Sequence, residues 1–455
     1  MDITKFLNEE YSQSALYMAY RSLPSYIDGL KNSGRKVIYT VKQRNIKSKI
    51  KVSALASSII MEAGYLHGDS GIQGTIVTLA ADYCGANNLP YIKGEGSFGT
   101  RLIPEASAPR YIFARMADYS DLIFRKSDDE NLISQEFEGD EIEPRFYVPT
   151  LPMILVNGAE GIGVGFAGQM YARPIENIIK LTRSKLEGKR IKKDLLLPNW
   201  QGFKGTVTEL EPNKYEVRGV ATIQGKKVVI DELPITWDLQ KYLALLSKYK
   251  NPDPKKPKEK KRIEKYIDGS DPEVDTFHFE ITLTDEEAAL PQETILKDLG
   301  LIETITENPT LIDENNAVED GFKDATDVFN AYYDIKLKYM EKRKKSEEKR
   351  LENEKIYLAE VVRFIKEVIA GTINLKLKKS VVEADMKKKK YVNIDKLIAM
   401  PLYSITSDKA KEMEEKYKAK VEELDNFIKN ETPVTLWLKD IDELEKYLKK
   451  EGRIN

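Results

Sequence analysis

A chain of 455 residues is too long for a single hydrophobic core, and 41% apolar with 32% charged residues fits two or three globular domains with extended charged helices, not a disordered polymer. The net charge of −2 is uninformative, but residues 1–115 carry fourteen Lys or Arg against nine Asp or Glu, and residues 116–143 carry two against ten. A lone cysteine, Cys84, excludes an internal disulfide and points to buried packing; with no leader-like N-terminus and no apolar run near about twenty residues, an intracellular protein is expected.

From Val52 to Ala63 apolar residues fall at Val52, Leu55, Ile59 and Ile60, and from Ile72 to Tyr83 at Ile72, Ile76, Leu79 and Tyr83, both at helical spacing. Between them Gly64 to Ser70 is a glycine-bearing turn, with Asp69 or Ser70 placed to cap the second helix, so the pair fits a helix-turn-helix. Residues 93–100, Lys-Gly-Glu-Gly-Ser-Phe-Gly-Thr, lack the Lys-Ser/Thr ending of a phosphate-binding loop and predict a tight turn. Residues 146–167 pass through Pro149, Pro152 and the apolar Met153 to Val156 into a run of glycines, which predicts strand, turn and closely packed backbone. From Gly205 to Ile230 the pattern is strand-like, through Val207, Tyr215, Val217, Val220, Thr222 and Val228, and predicts a second, mixed α/β domain. The Pro/Lys stretch 251–258 opens a basic insertion that runs to residue 265 and reads as an exposed loop. Beyond Phe322, Lys and Glu dominate, with Leu337, Leu351, Leu358 and Ile365 at one heptad position and Met340, Val361 and Val368 at the other. After Gly371 a second pattern returns through Ala410, Met413, Tyr417, Val421, Leu424 and Ile428. Two long helices around an intervening module read as an antiparallel coiled-coil stalk with a globular tip or as an ordinary bundle, and periodicity does not choose between them.

Two histidines, His67 and His278, exclude most imidazole metal sites. Asp440 and Asp442 fall in a charged C-terminal helix, where a solvated face is the plainer reading, so the chain shows no evident metal site. Among 24 tyrosines, Tyr111 stands out by its neighbours Pro109-Arg110-Tyr111-Ile112-Phe113: a guanidinium precedes the phenol, and the alternation of Tyr111 with Phe113 predicts a short extended segment. A phenol with a pKa of about 10 is poorly ionised near neutrality, so a nucleophilic tyrosine needs cations or a metal beside it.

The ordered motifs Arg21-Ser22-Leu23-Pro24, Asp28-Gly29-Leu30-Lys31, Arg35-Lys36-Val37, His67-Gly68-Asp69-Ser70, Gly94-Glu95-Gly96-Ser97-Phe98-Gly99, Ala108-Pro109-Arg110-Tyr111 and Asn157-Gly158-Ala159-Glu160-Gly161-Ile162-Gly163 strongly resemble type IIA DNA topoisomerases. The chain looks most like the medium subunit of the T-even-type phage enzymes, while Pro109-Arg110-Tyr111-Ile112-Phe113 is close to the eukaryotic wording. The resemblance implies an α+β multidomain fold: an N-terminal arm and winged-helix DNA-cleavage domain over 1–145, an α/β tower domain over 146–321, and a long antiparallel coiled coil over 322–455 with a small helical dimerisation module near 370–405.

It also implies that Tyr111 attacks a phosphodiester to leave a 5′-phosphotyrosyl enzyme and a free 3′-hydroxyl, with Arg110 stabilising the transferring phosphate. Arg21, Arg35, Lys36 and His67 would hold backbone phosphates, Ser70 falls at a position tied to quinolone response, and Met170 would wedge a base step to bend double-stranded DNA. Departures from the pattern are Tyr65 in place of a second imidazole, Tyr171 in place of the proline after the wedge, and Gly74 in place of an acidic residue. The metal-binding acids and the ATPase belong to another domain in this family, so Mg²⁺ and ATP are expected on one or more large partner subunits, around a homodimer closed by the C-terminal module. No membrane role is implied, and the expected location is the cytoplasm, that of the host if the chain is viral. ATP-dependent relaxation and decatenation are expected. The rivals are the cleavage subunit of a cellular gyrase or topoisomerase IV, and a catalytically silent DNA-clamping scaffold.

Overall fold

The helical periodicity early in the chain becomes helices α1 (Asn32–Gln43), α2 (Val52–Glu62) and α3 (Asp69–Ala80) in a computed structural model that describes residues 3–253, 260–401, 403 and 405–454. α1 buries Val37, Ile38 and Val41, α2 buries Val52, Leu55 and Ile59, and α3 buries Ile72, Ile76 and Leu79. At about 1.5–3 kcal/mol per fully buried side chain, this burial outweighs the side-chain N-caps that all three helices lack, worth about 1 kcal/mol each. The cap of α3 is Gly68, so the capping role expected of Asp69 or Ser70 is corrected; Asp69 lies in the first turn, where its charge meets the positive end of the helix dipole. Strands β1 (Ile50–Lys51), β2 (Ile92–Glu95) and β3 (Phe113–Met116) form an antiparallel sheet of order β1-β3-β2 beside these helices, with Lys51 and Glu95 flanking Phe113.

The apolar run expected as a strand is a buried five-residue helix, Met153–Asn157, entered from Pro152. A short apolar run buried on every side has no periodicity to separate strand from helix. The close-packed backbone follows as a hairpin of β4 (Ala159–Ile162) and β5 (Ala167–Met170), with Ala159 opposite Met170. Gly161 permits this: a Cβ there would overlap the Ser22 carbonyl oxygen and lie 2.9 Å from Leu23 Cα.

The strand-rich region builds two antiparallel sheets from β6 (Thr206–Glu211), β7 (Lys214–Arg218), β8 (Val220–Gln224), β9 (Lys227–Glu232), β10 (Ile263–Asp268), β11 (Phe279–Leu283) and β12 (Ile302–Thr306), in orders β8-β9-β11-β10 and β12-β7-β6. Tyr242 and Leu246 of α4 (Leu239–Lys250) pack with Val228, Ile230, Phe279 and Ile281 under the four-stranded sheet, and Leu102 reaches into the same core. Most of the basic Pro/Lys segment, residues 254–259, lies outside the described residues.

By packing the chain divides into residues 1–336 with 440–455, and residues 337–439. The second unit holds most of α5 (Ala325–Ile369), then α6 (Lys379–Lys388) and α7 (Ser407–Asn430). Glu354 pairs with Lys420 at 3.1 Å and Lys366 with Glu414 at 2.9 Å, and the reversed order makes α5 and α7 antiparallel. Phe364, Ile365, Ile373, Val382, Met386 and Leu397 form the core of the module between them. The last helix, α8 (Pro433–Lys450), buries Ile441, Leu444 and Leu448 in the first unit. Asp440 there is 3% exposed and meets Arg125 Nε at 3.3 Å, which corrects its expected solvated face, because a charged pattern does not reveal a buried counter-ion; Asp442 pairs with Arg183 at 2.6 Å. Among the described residues no helix is long and apolar enough to cross a membrane.

Candidate tyrosine site and nucleic-acid interface

Tyr111 lies in a turn, its amide donating to Ala108 O at 2.9 Å, and β3 begins only at Phe113. The expected extended segment therefore starts two residues late; Pro109, with no N–H, cannot join the ladder. Two structures pin the turn. Free amides at the start of α2 hold one side, Val52 N donating to Ile112 O at 3.1 Å and Ser53 N to Pro109 O at 3.3 Å. The glycine-rich loop holds the other: Gly96 sits at φ +104°, where a Cβ would lie 2.9 Å from Ile112 Cγ2, and Ser107 N donates to Ser97 O at 3.0 Å.

The far end of the same loop is fastened to the four-stranded sheet. The Arg101 guanidinium, 6% exposed, donates to Pro234 O at 2.9 Å, Leu233 O at 3.2 Å and also to Trp237 O. Asp275 accepts from the amides of Arg101 and Leu102 at 2.8 and 3.0 Å.

The product is a fixed turn with an exposed phenol. Tyr111 is 69% exposed, and the Arg110 guanidinium stands 5.4 Å over its ring. An exposed cation–π contact is worth about 0.5–1 kcal/mol, so the guanidinium can leave the ring for an anion at small cost. Burial pushes the phenols of Tyr91, Tyr147, Tyr242 and Tyr332 far above their ordinary range. Tyr17 is also exposed beneath a guanidinium, that of Arg21 at 5.6 Å, but it stands on a helix and not in a pinned turn.

His67 and Ser70 are exposed around the α2–α3 turn, His67 edge-on to the Tyr65 ring at 5.5 Å. Arg21 is half-buried. Three expected DNA contacts are corrected. Arg35 is 1% exposed, with Nε 2.8 Å from Asp28 Oδ2 and Nη2 donating to Leu30 O at 3.0 Å. Lys36 is 6% exposed and gives its ammonium to Glu143 at 2.9 Å and to Ala63 O. Both lie on the inward part of α1 beside Val37 and Ile38, where an unpaired charge would be prohibitive. Met170 is 1% exposed in the hairpin, while Ile162 on the partner strand is 83% exposed. None of the three meets solvent enough to touch a duplex in this conformation.

Asp28 is the hub beneath the interface. Besides Arg35 it accepts from the amides of Leu30 at 3.0 Å and Tyr147 at 3.1 Å, and its own carbonyl accepts from Tyr91 Oη at 3.2 Å. Burial opposes the charge on Arg35, but the Asp28 carboxylate outweighs it and the guanidinium's pKa rises. Burial likewise raises the Glu143 carboxyl, against the pull of Lys36.

Sequence reasoning passed over Lys51, which is exposed opposite Phe113 and has no ion-pair partner among the described residues. Its neighbours are committed, Lys49 to Glu95 at 3.2 Å and Arg115 to Asp118 at 3.0 Å. A two-residue strand leaves no periodic signal by which to find it. Among the described residues Arg110 and Lys51, at and beside the turn, and Arg21, on the N-terminal helix, have no ion-pair partner, the type of group that a phosphate backbone recruits. Among the described residues no three His, Cys, Asp or Glu side chains converge in a way that could hold a metal ion.

A family model that describes the A subunit of DNA gyrase/topoisomerase IV matches residues 21–442. DNA topoisomerase 2-alpha of Homo sapiens is 37% identical over 236 residues, which cover 51% of this chain and 15% of that protein. DNA topoisomerase 2-beta of Mus musculus is 39% identical over 236 residues, 51% of this chain and 14% of that protein. The chain's matched part therefore spans about 15% of the length of these curated relatives. Among solved structures, the DNA-binding, cleavage and re-ligation domain of Plasmodium falciparum topoisomerase II superposes with a TM-score of 0.86 at 29% identity, over 99% of this chain and 66% of that one.

Proposed function

The chain belongs to the family of DNA gyrase/topoisomerase IV A subunits, and from that membership we propose that it is the DNA breakage-and-rejoining component of an ATP-dependent type IIA topoisomerase with Tyr111 as its nucleophile. The observation that carries the reading is an exposed phenol in a pinned turn beneath the Arg110 guanidinium. Tyr111 Oη attacks a backbone phosphorus, a 5′-phosphotyrosyl bond forms as the bond to the 3′ oxygen breaks, and the phenol's proton passes through solvent to that oxygen. One P–O bond replaces another without hydrolysis, and because an aryloxide leaves more readily than an alkoxide, the free 3′-hydroxyl can reverse the step. Arg110 stabilises charge on the phosphoryl oxygens. Arg21, His67, Ser70 and Lys51 hold flanking phosphates, which position the duplex without reading its sequence.

Among the described residues no three His, Cys, Asp or Glu side chains group together to hold a metal ion, and no step above runs through a metal. In the proposal Mg²⁺ and ATP belong to one or more large partner subunits. α1–α3 with β1–β3 serve as the winged-helix domain, the two sheets as the tower, and α5 with α7 as the coiled coil. A homodimer closes through residues 370–405, where Leu377, Val381 and Val392 are 51%, 49% and 77% exposed. The narrower assignment is the medium subunit of a T-even-type phage enzyme that relaxes and decatenates DNA in the host cytoplasm.

The test incubates the chain with DNA, Mg²⁺ and a large subunit carrying the metal-binding and ATPase domains, then adds denaturant and looks for protein on 5′ ends. The wild type forms the adduct and Tyr111→Phe does not. An adduct that persists in the variant removes Tyr111 as nucleophile, and none from the wild type favours a DNA-clamping scaffold.

A further inference from the structure

The segment that carries Tyr111 is cross-tied along its length. At its tip Thr100 N donates to Ile103 O at 2.8 Å and Ile103 N to Thr100 Oγ1 at 3.0 Å. One step nearer the base, the Gly99 backbone lies so close to Pro104 that a Cβ there would overlap the Pro104 carbonyl oxygen. Ser107 N then donates to Ser97 O at 3.0 Å, and Gly96 packs on Ile112 beside the Tyr111 turn. These successive ties make residues 96–112 a lever with Tyr111 at its base and Thr100 to Ile103 at its tip, the kind of contiguous network through which a displacement can travel.

The tip is held from far away in the chain. Leu102, 0% exposed, is a plug in the core of the four-stranded sheet, and its carbonyl accepts from Leu239 N at 3.1 Å. Asp275, half-buried in the connection between β10 and β11, grips the tip with both carboxylate oxygens: Oδ2 accepts from Arg101 N at 2.8 Å and Oδ1 from Leu102 N at 3.0 Å. A plug alone fixes where the tip sits but leaves it free to pivot. Two bonds from consecutive amides to one carboxylate also fix its direction. The Asp275 backbone stands at φ +53°, a left-handed conformation that Asn and Asp tolerate best after glycine. Glycine or asparagine would suit that backbone equally well, but neither offers two acceptor oxygens to two adjacent amides.

We infer that Asp275 is a positioning residue for the breakage step. By fixing the direction of the lever at its tip it sets where the Tyr111 phenol stands, so the β10–β11 connection governs the rate of phosphotyrosyl formation without itself meeting the phosphate. The inference rests on the topoisomerase reading, since it presumes that Tyr111 attacks a phosphodiester.

The test measures single-turnover 5′-adduct formation by the full chain with the large subunit, duplex DNA and Mg²⁺, together with duplex affinity and amide hydrogen exchange of the chain alone. Asp275→Asn and Asp275→Gly both suit the left-handed backbone, one leaving a misplaced amide and the other nothing. Each keeps the wild-type duplex affinity and loses about ten- to a hundredfold in adduct rate, the scale on which a misplacement near 1 Å acts. Asp275→Glu, which returns a carboxylate, recovers part of the rate, and Glu273→Gln, exposed in the same turn, changes nothing. In the folded variants the amides of Ser107 and Tyr111 exchange faster, although their own acceptors, Ser97 O and Ala108 O, are untouched. The wild type supplies a reading that needs no variant: the amides of Arg101, Leu102, Ser107 and Tyr111 open as one unit with a common dependence on urea. Independent opening of tip and base overturns the proposal. So do equal adduct rates in wild type and variants, or a fall in rate matched by an equal fall in affinity. Absence of any adduct in the wild type, or its persistence in Tyr111→Phe, counts against the topoisomerase reading, whereas a normal wild-type adduct with unchanged rates in the variants counts against Asp275 alone.

Discussion

Replacing Arg35 by Ala separates a buried strut from a DNA contact. The change strips the Asp28 carboxylate, 0% exposed, of its only charged partner among the described residues and leaves it with the amides of Leu30 and Tyr147. Removing one member of a buried ion pair costs about 3–5 kcal/mol, a large part of the roughly 5–15 kcal/mol that holds a domain together. With a urea dependence of about 3 kcal/mol per M, the unfolding midpoint of the first unit falls by on the order of 1 M. A midpoint is the right readout, because a chain of two packing units need not unfold in one step. In parallel, the log–log salt slope of duplex binding by the folded variant stays that of the wild type. If Arg35 instead held a phosphate, stability would be nearly unchanged and the slope would drop by about 0.9. That pair of results refutes the buried-strut argument. Arg35→Lys recovers part of the stability, since an ammonium restores the charge but not the second donor to Leu30 O.

Three further outcomes are expected. Gly161→Ala drives a methyl group into the Ser22 carbonyl and the Leu23 backbone, neither of which is a flexible side-chain end, and lowers stability by about 1–3 kcal/mol in urea titration; a neutral result would mean that the hairpin does not pack so closely. Burial pushes the Cys84 thiol up to about 12, so iodoacetamide at pH 8 labels it in urea but hardly in the folded chain, and fast native labelling contradicts this. The sign follows: between the ordinary thiol value and about 12 only the unfolded chain ionises, so this group's contribution to stability is full below that window and is lost as pH rises through it. Val392→Asp places a charge on a side chain 77% exposed in the proposed dimer module and shifts the chain toward monomer in sedimentation; an unchanged dimer moves the interface elsewhere.

What was legible in the sequence was whatever repeats. α2, α3 and the long helices α5 and α7 announce themselves by apolar spacing, and the strands from Val207 to Ile230 by alternation. What was not legible depends on partners distant in the chain. Arg35 and Lys36 sit in a motif rich in cations and read as surface charges, yet Asp28 and Glu143 take them inside. Asp440 looked solvated until Arg125 was found beside it, 315 residues away. Tyr111 and Arg110 were singled out by their motif, whereas Lys51 was not, because only the fold shows it standing across a two-residue strand from Phe113.

The two-ended fastening of the tyrosine loop has a consequence for when its ordering is charged. Fixing backbone costs about 1–2 kcal/mol per residue in lost conformational freedom. Here Gly96, Ser97 and the α2 amides fix the base of the loop, and Arg101, Leu102 and Asp275 fix its tip, all before any ligand arrives. The entropy of placing the Tyr111 backbone is therefore lost during folding, and in the proposed reaction a docking phosphate would meet a phenol carried on a turn already in place.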